Sequence, residues 1–240
     1  MKEDPWLAPR RLAVAEQMDE PAVDPATLGQ ALRFIRRINR ALGYTRNTVR
    51  HLDRLTRDLP EGRPLRVLDV ATGSADVPVA VRRWAKRRGR RVSVVGLDLH
   101  AATLAYAADY AGPAVPLVRG DALALPFADG AFDVVMTSMF LHHLPDAMAA
   151  GVLREMSRVA SHGLIAADLL RHRRAYRWIW LMTLLSKPML RHDARVSVKQ
   201  AFTMKEADAL RQAAGLSEAR VYRHFAHRFV IAGPTADSLL

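Results

Sequence analysis

One short stretch constrains the fold of this chain more than any other: a buried strand that runs into a turn of small residues and then into a helix. The apolar run Leu65–Val70 predicts the strand, and residues 77–85 show the apolar spacing of a helix. Residues 71–76 connect the two and read Ala-Thr-Gly-Ser-Ala-Asp. A turn of this composition lets the backbone approach a ligand closely and points free N–H groups at it.

The charge of this turn indicates the kind of ligand. The fingerprint of dinucleotide-binding turns has Gly at three positions, which here hold Ala71, Gly73 and Asp76. A carboxylate at the start of the helix would repel a pyrophosphate, whereas it would favour a ligand that carries positive charge. On this motif alone, an ordinary turn between strand and helix remains the alternative.

Alternating strands and helices follow the turn and predict a doubly wound, mostly parallel α/β sheet of the Rossmann-like kind. Two late strands are separated by almost nothing and therefore predict an antiparallel C-terminal hairpin, for seven strands in all. The predicted strands are 65–70, 92–98, 115–118, 132–137, 163–168, 219–225 and 227–232.

The chain divides into a helical N-terminal cap, residues 1–60, and a main domain, residues 61–240. In the cap, residues 1–22 look loosely structured, Asp24 is the predicted N-cap of a first helix, and Thr45 is the predicted cap of a second. A long excursion at about 169–203 predicts a lid. A helix over 202–214, with Thr203 and Glu206 placed for a capping box, follows the lid.

Acidic residues end three successive strands of the predicted sheet. They are Asp69, Asp98 and Asp121. Because ligands of open α/β sheets bind outside the carboxyl ends of the strands, we expect these three side chains at one site. Asp98 follows the turn at the spacing from which an acid reaches ribose hydroxyls.

Two further segments complete a recognisable order of motifs. Residues 119–127 read Arg-Gly-Asp-Ala-Leu-Ala-Leu-Pro-Phe, and residues 137–146 read Thr-Ser-Met-Phe-Leu-His-His-Leu-Pro-Asp. With the turn and Asp98, they resemble the class I S-adenosylmethionine-dependent methyltransferases, in the ubiquinone/menaquinone type with a methyltransferase domain of type 11. The resemblance is strong over residues 60–168. It implies a methyltransferase whose cofactor, S-adenosylmethionine, carries an ammonium and a sulfonium and no phosphate.

The resemblance implies a role for individual residues in holding this cofactor. Asp69 would bind its amino group, Asp98 its ribose hydroxyls and Asp121 its adenine amino group. The other implied cofactor-binding residues are Ala71, Thr72, Gly73, Leu99, Ala122 and Ser138, with Thr137 as the alternative to Ser138 beside the sulfonium. The chain departs from the commoner pattern of the family at Ala71 and Ala75, where Gly is frequent.

Methyl transfer needs an electron-rich acceptor, and a neutral His is suited to deprotonating one. His143 is the predicted catalytic base, with His142 beside it and His172 and His192 in the lid as other candidates. The alternative is that His142 and His143 only pack on the cofactor or hold the fold. The sequence predicts no metal site.

The lid supplies the predicted acceptor-binding residues Arg171, Trp178 and Arg195. An apolar lid and the quinone-type motif predict O- or C-methylation of a small aromatic, quinone or polyketide-like molecule in secondary metabolism. Nucleic acid is disfavoured as a substrate because the chain lacks an Asn/Asp-Pro-Pro-aromatic motif after the fourth strand and has no Cys. An RNA methyltransferase with a basic surface and a non-catalytic cofactor-binding regulator remain the alternatives.

The composition limits location and partners less sharply. The formal net charge of +12 fits nucleic acid, an anionic membrane surface or an acidic substrate, and also fits an Arg-rich genome. The absence of Cys is compatible with a reducing cytoplasm. The most apolar segment, residues 175–190, is too short and too charged to span a membrane. We therefore expect a cytoplasmic protein, leave peripheral membrane contact open, and infer no oligomeric state.

Overall fold

A seven-stranded sheet forms the centre of the molecule in the computed structural model, which describes residues 16–17, 23–60 and 62–235. The strand order is β3-β2-β1-β4-β5-β7-β6. Strands β1 to β5 are parallel, and β7 is antiparallel to both β5 and β6. The strands are β1 (Leu65–Val70), β2 (Val92–Asp98), β3 (Leu117–Arg119), β4 (Phe132–Ser138), β5 (Ala160–Leu169), β6 (Arg220–His224) and β7 (Arg228–Pro234). The predicted doubly wound sheet with an antiparallel C-terminal hairpin is confirmed.

Eight α-helices accompany this sheet within the described residues. They are α1 (Pro25–Ala41), α2 (Tyr44–Leu55), α3 (Asp76–Arg88), α4 (Ala101–Ala111), α5 (Asp146–Val159), α6 (Arg173–Met182), α7 (Pro188–Gln200) and α8 (Met204–Ala213). A short 3-10 helix, Leu141–His143, lies between β4 and α5. In the part of the chain that the structure describes, every helix is too short or too polar to traverse a lipid bilayer.

Two predicted caps are confirmed. The Asp24 carboxylate accepts a hydrogen bond from the Thr27 N–H at 2.8 Å. At α8, the Thr203 hydroxyl and the Glu206 carboxylate form the predicted capping box. Because Thr203 is the N-cap, α8 begins at Met204 rather than at residue 202.

Two other local predictions are wrong. The third strand begins at Leu117, not at residue 115, because Pro116 has no N–H to donate to a neighbouring strand. Thr45 does not cap α2, since that helix already begins at Tyr44, after Gly43 in the left-handed conformation (φ 77°). The Thr45 hydroxyl donates instead to the Asp76 carboxylate at 3.2 Å.

Both faces of the sheet are buried. One core cluster joins the sheet to α5 and α8 through residues such as Leu153 and Leu210. The other joins it to α3 and to α2, which contributes the fully buried Leu52. The Trp84 indole N–H of α3 also donates to Asp53 of α2 at 2.9 Å. The helix α2, from the segment predicted as a cap, thus shares the core of the sheet.

The loose structure predicted for residues 1–22 lies outside the described residues, except at positions 16 and 17. Those two residues lie against the lid, where the Gln17 N–H donates to Asp193 at 2.8 Å. Helices α6 and α7 occupy the predicted lid between β5 and α8. The first residues of the lid are fixed to its last ones, because the Arg171 N–H donates to the Phe202 carbonyl at 2.9 Å.

Candidate active site

The turn after β1 has an unusual backbone. Ala71, Gly73 and Ala75 all lie in the left-handed region, with φ of 54°, 53° and 55°. Only Gly adopts this region without a steric cost, so the two alanines are strained. The Thr72 N–H donates to the Leu97 carbonyl at 2.9 Å, which ties the turn to β2. The backbone of the turn therefore packs closely against the carboxyl ends of β1 and β2.

Asp98 at the end of β2 is fixed by backbone donors. One carboxylate oxygen accepts from the Gly73 N–H at 3.0 Å, and the other accepts from the His100 N–H at 3.1 Å. Burial raises the pKa of Asp98 above its usual value, and these hydrogen bonds oppose the rise. Asp98 borders a cavity of about 1160 Å³, together with the predicted cofactor residues Leu99, Ala71, Thr72 and Gly73.

Asp69 lies beneath the turn rather than on the cavity wall. One of its oxygens accepts from the Thr72 hydroxyl at 2.7 Å, whereas the other is buried without a hydrogen-bond partner. Burial, with the neighbouring charges of Asp76 and Asp98, raises the pKa of Asp69 to about 8 against the opposing hydrogen bond from Thr72. Any contact of Asp69 with a ligand in the cavity would have to pass through Thr72 or a rearranged turn.

Asp76 adds a third acid to the same place. It borders the cavity at the start of α3 and accepts from Ser74 at 3.1 Å and from Thr45. Burial raises its pKa as well. Among the described residues, no Lys or Arg forms an ion pair with Asp69, Asp76 or Asp98. The turn therefore concentrates buried acids that lack a direct ion pair, although the charge of Arg36 acts on Asp76. A cationic ligand would stabilise these acids and a pyrophosphate would not.

The far side of the cavity is formed by the loops after β3 and β4. Asp121 is exposed, and its carboxylate accepts from the Leu123 N–H at 2.9 Å. Asp121, Ala122 and Ser138 all border the cavity, and the Ser138 hydroxyl is buried without a hydrogen-bond partner. Thr137 is excluded from the wall because its hydroxyl donates to the Val70 carbonyl at 2.8 Å. Of the two predicted alternatives, the structure therefore places only Ser138 at the cavity.

His142 is held between two acids. Its Nδ1 lies 2.6 Å from Asp168, whose other oxygen accepts from the His142 backbone N–H at 3.0 Å. Its Nε2 lies 3.7 Å from Glu16. Although burial lowers the pKa of His142, these two carboxylates outweigh burial and raise it to about 10. His142 is therefore protonated at neutral pH and cannot act as a base there.

Glu16 was not among the residues singled out from the sequence, because nothing in its neighbourhood marks it. It is buried at the cavity, accepts from the Ser197 hydroxyl at 2.5 Å, and lies 4.0 Å from the Nε2 of His143. Ligand atoms of Glu16, His142 and His143 lie within 4.8 Å of one another, a spacing from which they could converge on a metal ion. The sequence predicted no metal site, and only the tertiary structure brings these three side chains together.

The predicted acceptor-binding residues of the lid lie in different places in the structure. Trp178 borders the cavity, together with Ile179 and Met182. Arg171 does not, since its guanidinium is buried and donates to the Ala201 carbonyl at 2.5 Å and to Glu206 at 2.6 Å. Arg195 borders a separate pocket between α6 and α7. The structure thus places Arg171 at the base of the lid and Arg195 at a different pocket, and their contact with an acceptor stays a prediction.

Comparison with known proteins agrees with this reading of the turn, the strand-end acids and the sheet order. Residues 67–163 match the family model of a methyltransferase domain. Over these residues the chain is similar to a class I S-adenosylmethionine-dependent methyltransferase domain. The matched segment runs from β1 into β5 and holds all nine predicted cofactor-binding residues.

Two of the curated relatives are named as methyltransferases of quinone-type molecules. The chain is 39% identical to a demethylmenaquinone methyltransferase of Thermus thermophilus over 106 residues, which is 43% of this chain and 46% of that protein. It is 41% identical to a 2-phytyl-1,4-naphtoquinone methyltransferase of Synechococcus elongatus over 113 residues, 45% of this chain and 46% of that protein. The chain thus spans about half the length of the curated relatives it matches.

The likeness to solved structures extends beyond the matched residues 67–163. A SAM-dependent methyltransferase from Aquifex aeolicus superposes with a TM-score of 0.59, at 16% identity, over 89% of this chain and all of that chain. The likeness of fold therefore extends well beyond residues 67–163.

Proposed function

We propose that this protein transfers a methyl group from S-adenosylmethionine to an oxygen or carbon of a small, apolar aromatic or quinone-like acceptor. One observation carries the proposal: a single cavity of about 1160 Å³ joins the acidic turn to an apolar wall on the lid. The acids suit a cationic nucleoside, and the apolar wall suits a ring.

The residues at the acidic end fit the cofactor. Asp98 would hold the ribose hydroxyls, and Asp121 and Ala122 would contact the adenine. Asp76 and the Thr72–Asp69 pair would balance the charge of the ammonium end, with Ser138 beside the sulfonium. When bound, the cofactor supplies an activated methyl group on sulfur, so the protein has to align the acceptor and exclude water.

Among the histidines that border the cavity, we propose His143 as the base. His143 borders the cavity next to His142, with ring centroids 4.3 Å apart. Since His142 is protonated, its charge and the hydrogen bond to Asp168 fix the segment that carries His143. We propose that His143 takes the proton from an acceptor hydroxyl or activated C–H, and that the neighbouring imidazolium of His142 stabilises the resulting anion.

The quinone-type names of the relatives support an acceptor of this class. The lid wall of Trp178, Ile179 and Met182 supports it independently, because these side chains would pack on a ring or an alkyl chain and offer no pattern of donors for a nucleobase. RNA methylation remains the second candidate, and the observation in its favour is the net charge of +12.

The test is transfer of a labelled methyl group from S-adenosylmethionine to a panel of phenols, hydroquinones and RNA, followed by mass spectrometry. We expect labelled phenol or hydroquinone and no labelled RNA. We expect His143→Ala to lower kcat by about 100-fold or more while leaving the Kd for adenosylhomocysteine unchanged. The matched variant Asp98→Asn should weaken that Kd instead. Labelling of RNA alone, or full activity in His143→Ala, would overturn the respective part of the proposal.

A further inference from the structure

The lid carries an exposed apolar surface, most of whose side chains lie outside the cavity wall. We call it the lid patch, and it lies on α6 and the turn that follows. No residue of α6 is buried. The exposed fractions are 66% for Trp178, 45% for Trp180, 59% for Leu181, 54% for Met182, 39% for Leu184 and 102% for Leu185. Six large apolar side chains in eight positions mark an interaction surface, because soluble surfaces rarely expose such patches.

The lid patch is continuous with the mouth of the cavity. Trp178 and Met182 belong to both, since they border the cavity and are still more than half exposed. A partner that covers the lid patch would therefore lie at the opening through which an apolar molecule reaches the cavity.

A basic pocket adjoins the lid patch. It lies between α6 and α7 and has a volume of about 440 Å³. Arg191, Arg195 and Lys199 line it with His192. Within the described residues, none of these three cations forms an ion pair. Uncompensated cations in a concave site favour an anion such as a phosphate.

Direct contacts connect the basic pocket to the apolar surface. The Arg195 guanidinium lies 5.6 Å from the Trp180 ring centroid. The Arg191 guanidinium donates to the Ser186 carbonyl at 3.0 Å, in the turn that carries Leu184 and Leu185. The lid thus combines exposed Trp and Leu side chains with cations at their edge.

We propose that the lid patch and the basic pocket dock together on the surface of an anionic phospholipid bilayer. The Leu and Trp side chains would enter the interface between headgroups and acyl chains, where Trp is favoured. The basic pocket would take a lipid phosphate, and the overall charge of +12 would attract the anionic surface. Delivery of a lipid-soluble acceptor from the bilayer to the cavity rests on the proposed function, whereas the docking surface does not.

The test is co-sedimentation of the full chain with vesicles of phosphatidylcholine alone and of phosphatidylcholine mixed with phosphatidylglycerol, without cofactor or turnover. We expect binding to the anionic vesicles that weakens as salt is added. We expect at least about a tenfold loss of vesicle affinity in Leu181→Ser/Leu185→Ser and in Arg191→Glu/Arg195→Glu. The control is Arg83→Glu/Arg87→Glu on α3, which makes the same change of net charge at other exposed arginines and should change the affinity about twofold or less.

A second measurement uses the unaltered protein and therefore does not depend on whether a variant folds. Brominated lipids should quench the tryptophan fluorescence of the unaltered protein, and Trp178→Phe/Trp180→Phe should remove that quenching. No binding to anionic vesicles would overturn the proposal, as would an equal loss in the α3 control. Light scattering that shows a dimer in the unaltered protein and a monomer in Leu181→Ser/Leu185→Ser would assign the lid patch to a second copy of the chain. Because methyl transfer is not measured here, failure of docking leaves the proposed reaction intact.

Discussion

At the scale of single residues, burial gives the acids of this site their properties. Asp69, Asp76 and Asp98 have ordinary side chains whose pKa values rise because the fold removes water from around them. The opposite holds for His142, whose two carboxylate neighbours keep it charged despite burial. The same cavity therefore contains acids that favour a cationic ligand and an imidazolium that favours an anionic acceptor.

Asp69 makes the stability of the ligand-free protein depend on pH. Its pKa is about 8 in the folded protein against a usual value of 3.8, so in this window the folded state binds a proton that the unfolded chain has released. The free energy of unfolding should therefore fall as pH rises from about 4 to about 8, by at most about 1.4 kcal/mol per pH unit. Asp69→Asn should reduce this fall, as measured by urea unfolding across the window, while Asp76 and Asp98, whose pKa values burial also raises, retain their part of it. Asp121→Asn, which alters an exposed acid at the same sheet edge, should retain it, and a fall of equal size in Asp69→Asn would contradict the assignment.

At the scale of one element, the turn after β1 keeps its shape despite an unfavourable choice of residues. Ala71 and Ala75 hold left-handed backbone that Gly would adopt without steric cost. Hydrogen bonds of Thr72 to Leu97 and of Gly73 to Asp98 fix the turn against this strain. Alanine instead of glycine at positions 71 and 75 therefore leaves the shape of the turn unchanged and lowers the free energy of unfolding.

Ala71→Gly should increase the free energy of unfolding by about 1 kcal/mol, because it relieves a left-handed alanine. The matched substitution Ala105→Gly, at an exposed position inside α4, should decrease it by about 1 kcal/mol. Urea unfolding of both variants and the parent measures the two effects. A loss of stability in both would show that residue 71 is not strained in solution.

At the scale of the whole molecule, the N-terminal helices and the sheet form one core. Leu52 of α2 packs in the same cluster as Val67 of β1 and Val81 of α3. The predicted boundary near residue 60 marks a change in sequence pattern, whereas packing continues across it. We therefore expect α2 to unfold together with the sheet.

Leu52→Ala should lower the free energy of unfolding by about 2–5 kcal/mol, since it leaves a cavity in a fully buried cluster. Far-UV circular dichroism and tryptophan fluorescence should report one coincident transition in the parent and the variant. The control Arg46→Ala, at an exposed position of the same helix, should change stability by less than about 0.5 kcal/mol. Two separate transitions would mean that the N-terminal helices fold as their own unit.

Local pattern alone determined the order of the elements and the place of the acids. Apolar runs, a turn of small residues and strand-end carboxylates are all properties of neighbours along the chain, and parallel strands bring their carboxyl ends to one edge. For that reason Asp98 and Asp121 were predictable as residues of one cavity, whereas Asp69 lies beneath the turn and Ser138 was implied by the family resemblance.

Contacts between distant residues decided the rest. Whether Arg171 meets an acceptor depends on Glu206 and Ala201, and whether His142 is a base depends on Asp168 and Glu16. No spacing rule links such pairs, because their approach results from the packing of β5, the lid and the N-terminal segment. The sequence by itself determined a sheet edge suited to a cationic nucleoside, and only the tertiary structure decided which side chains are charged, which are committed to the fold and which face the solvent.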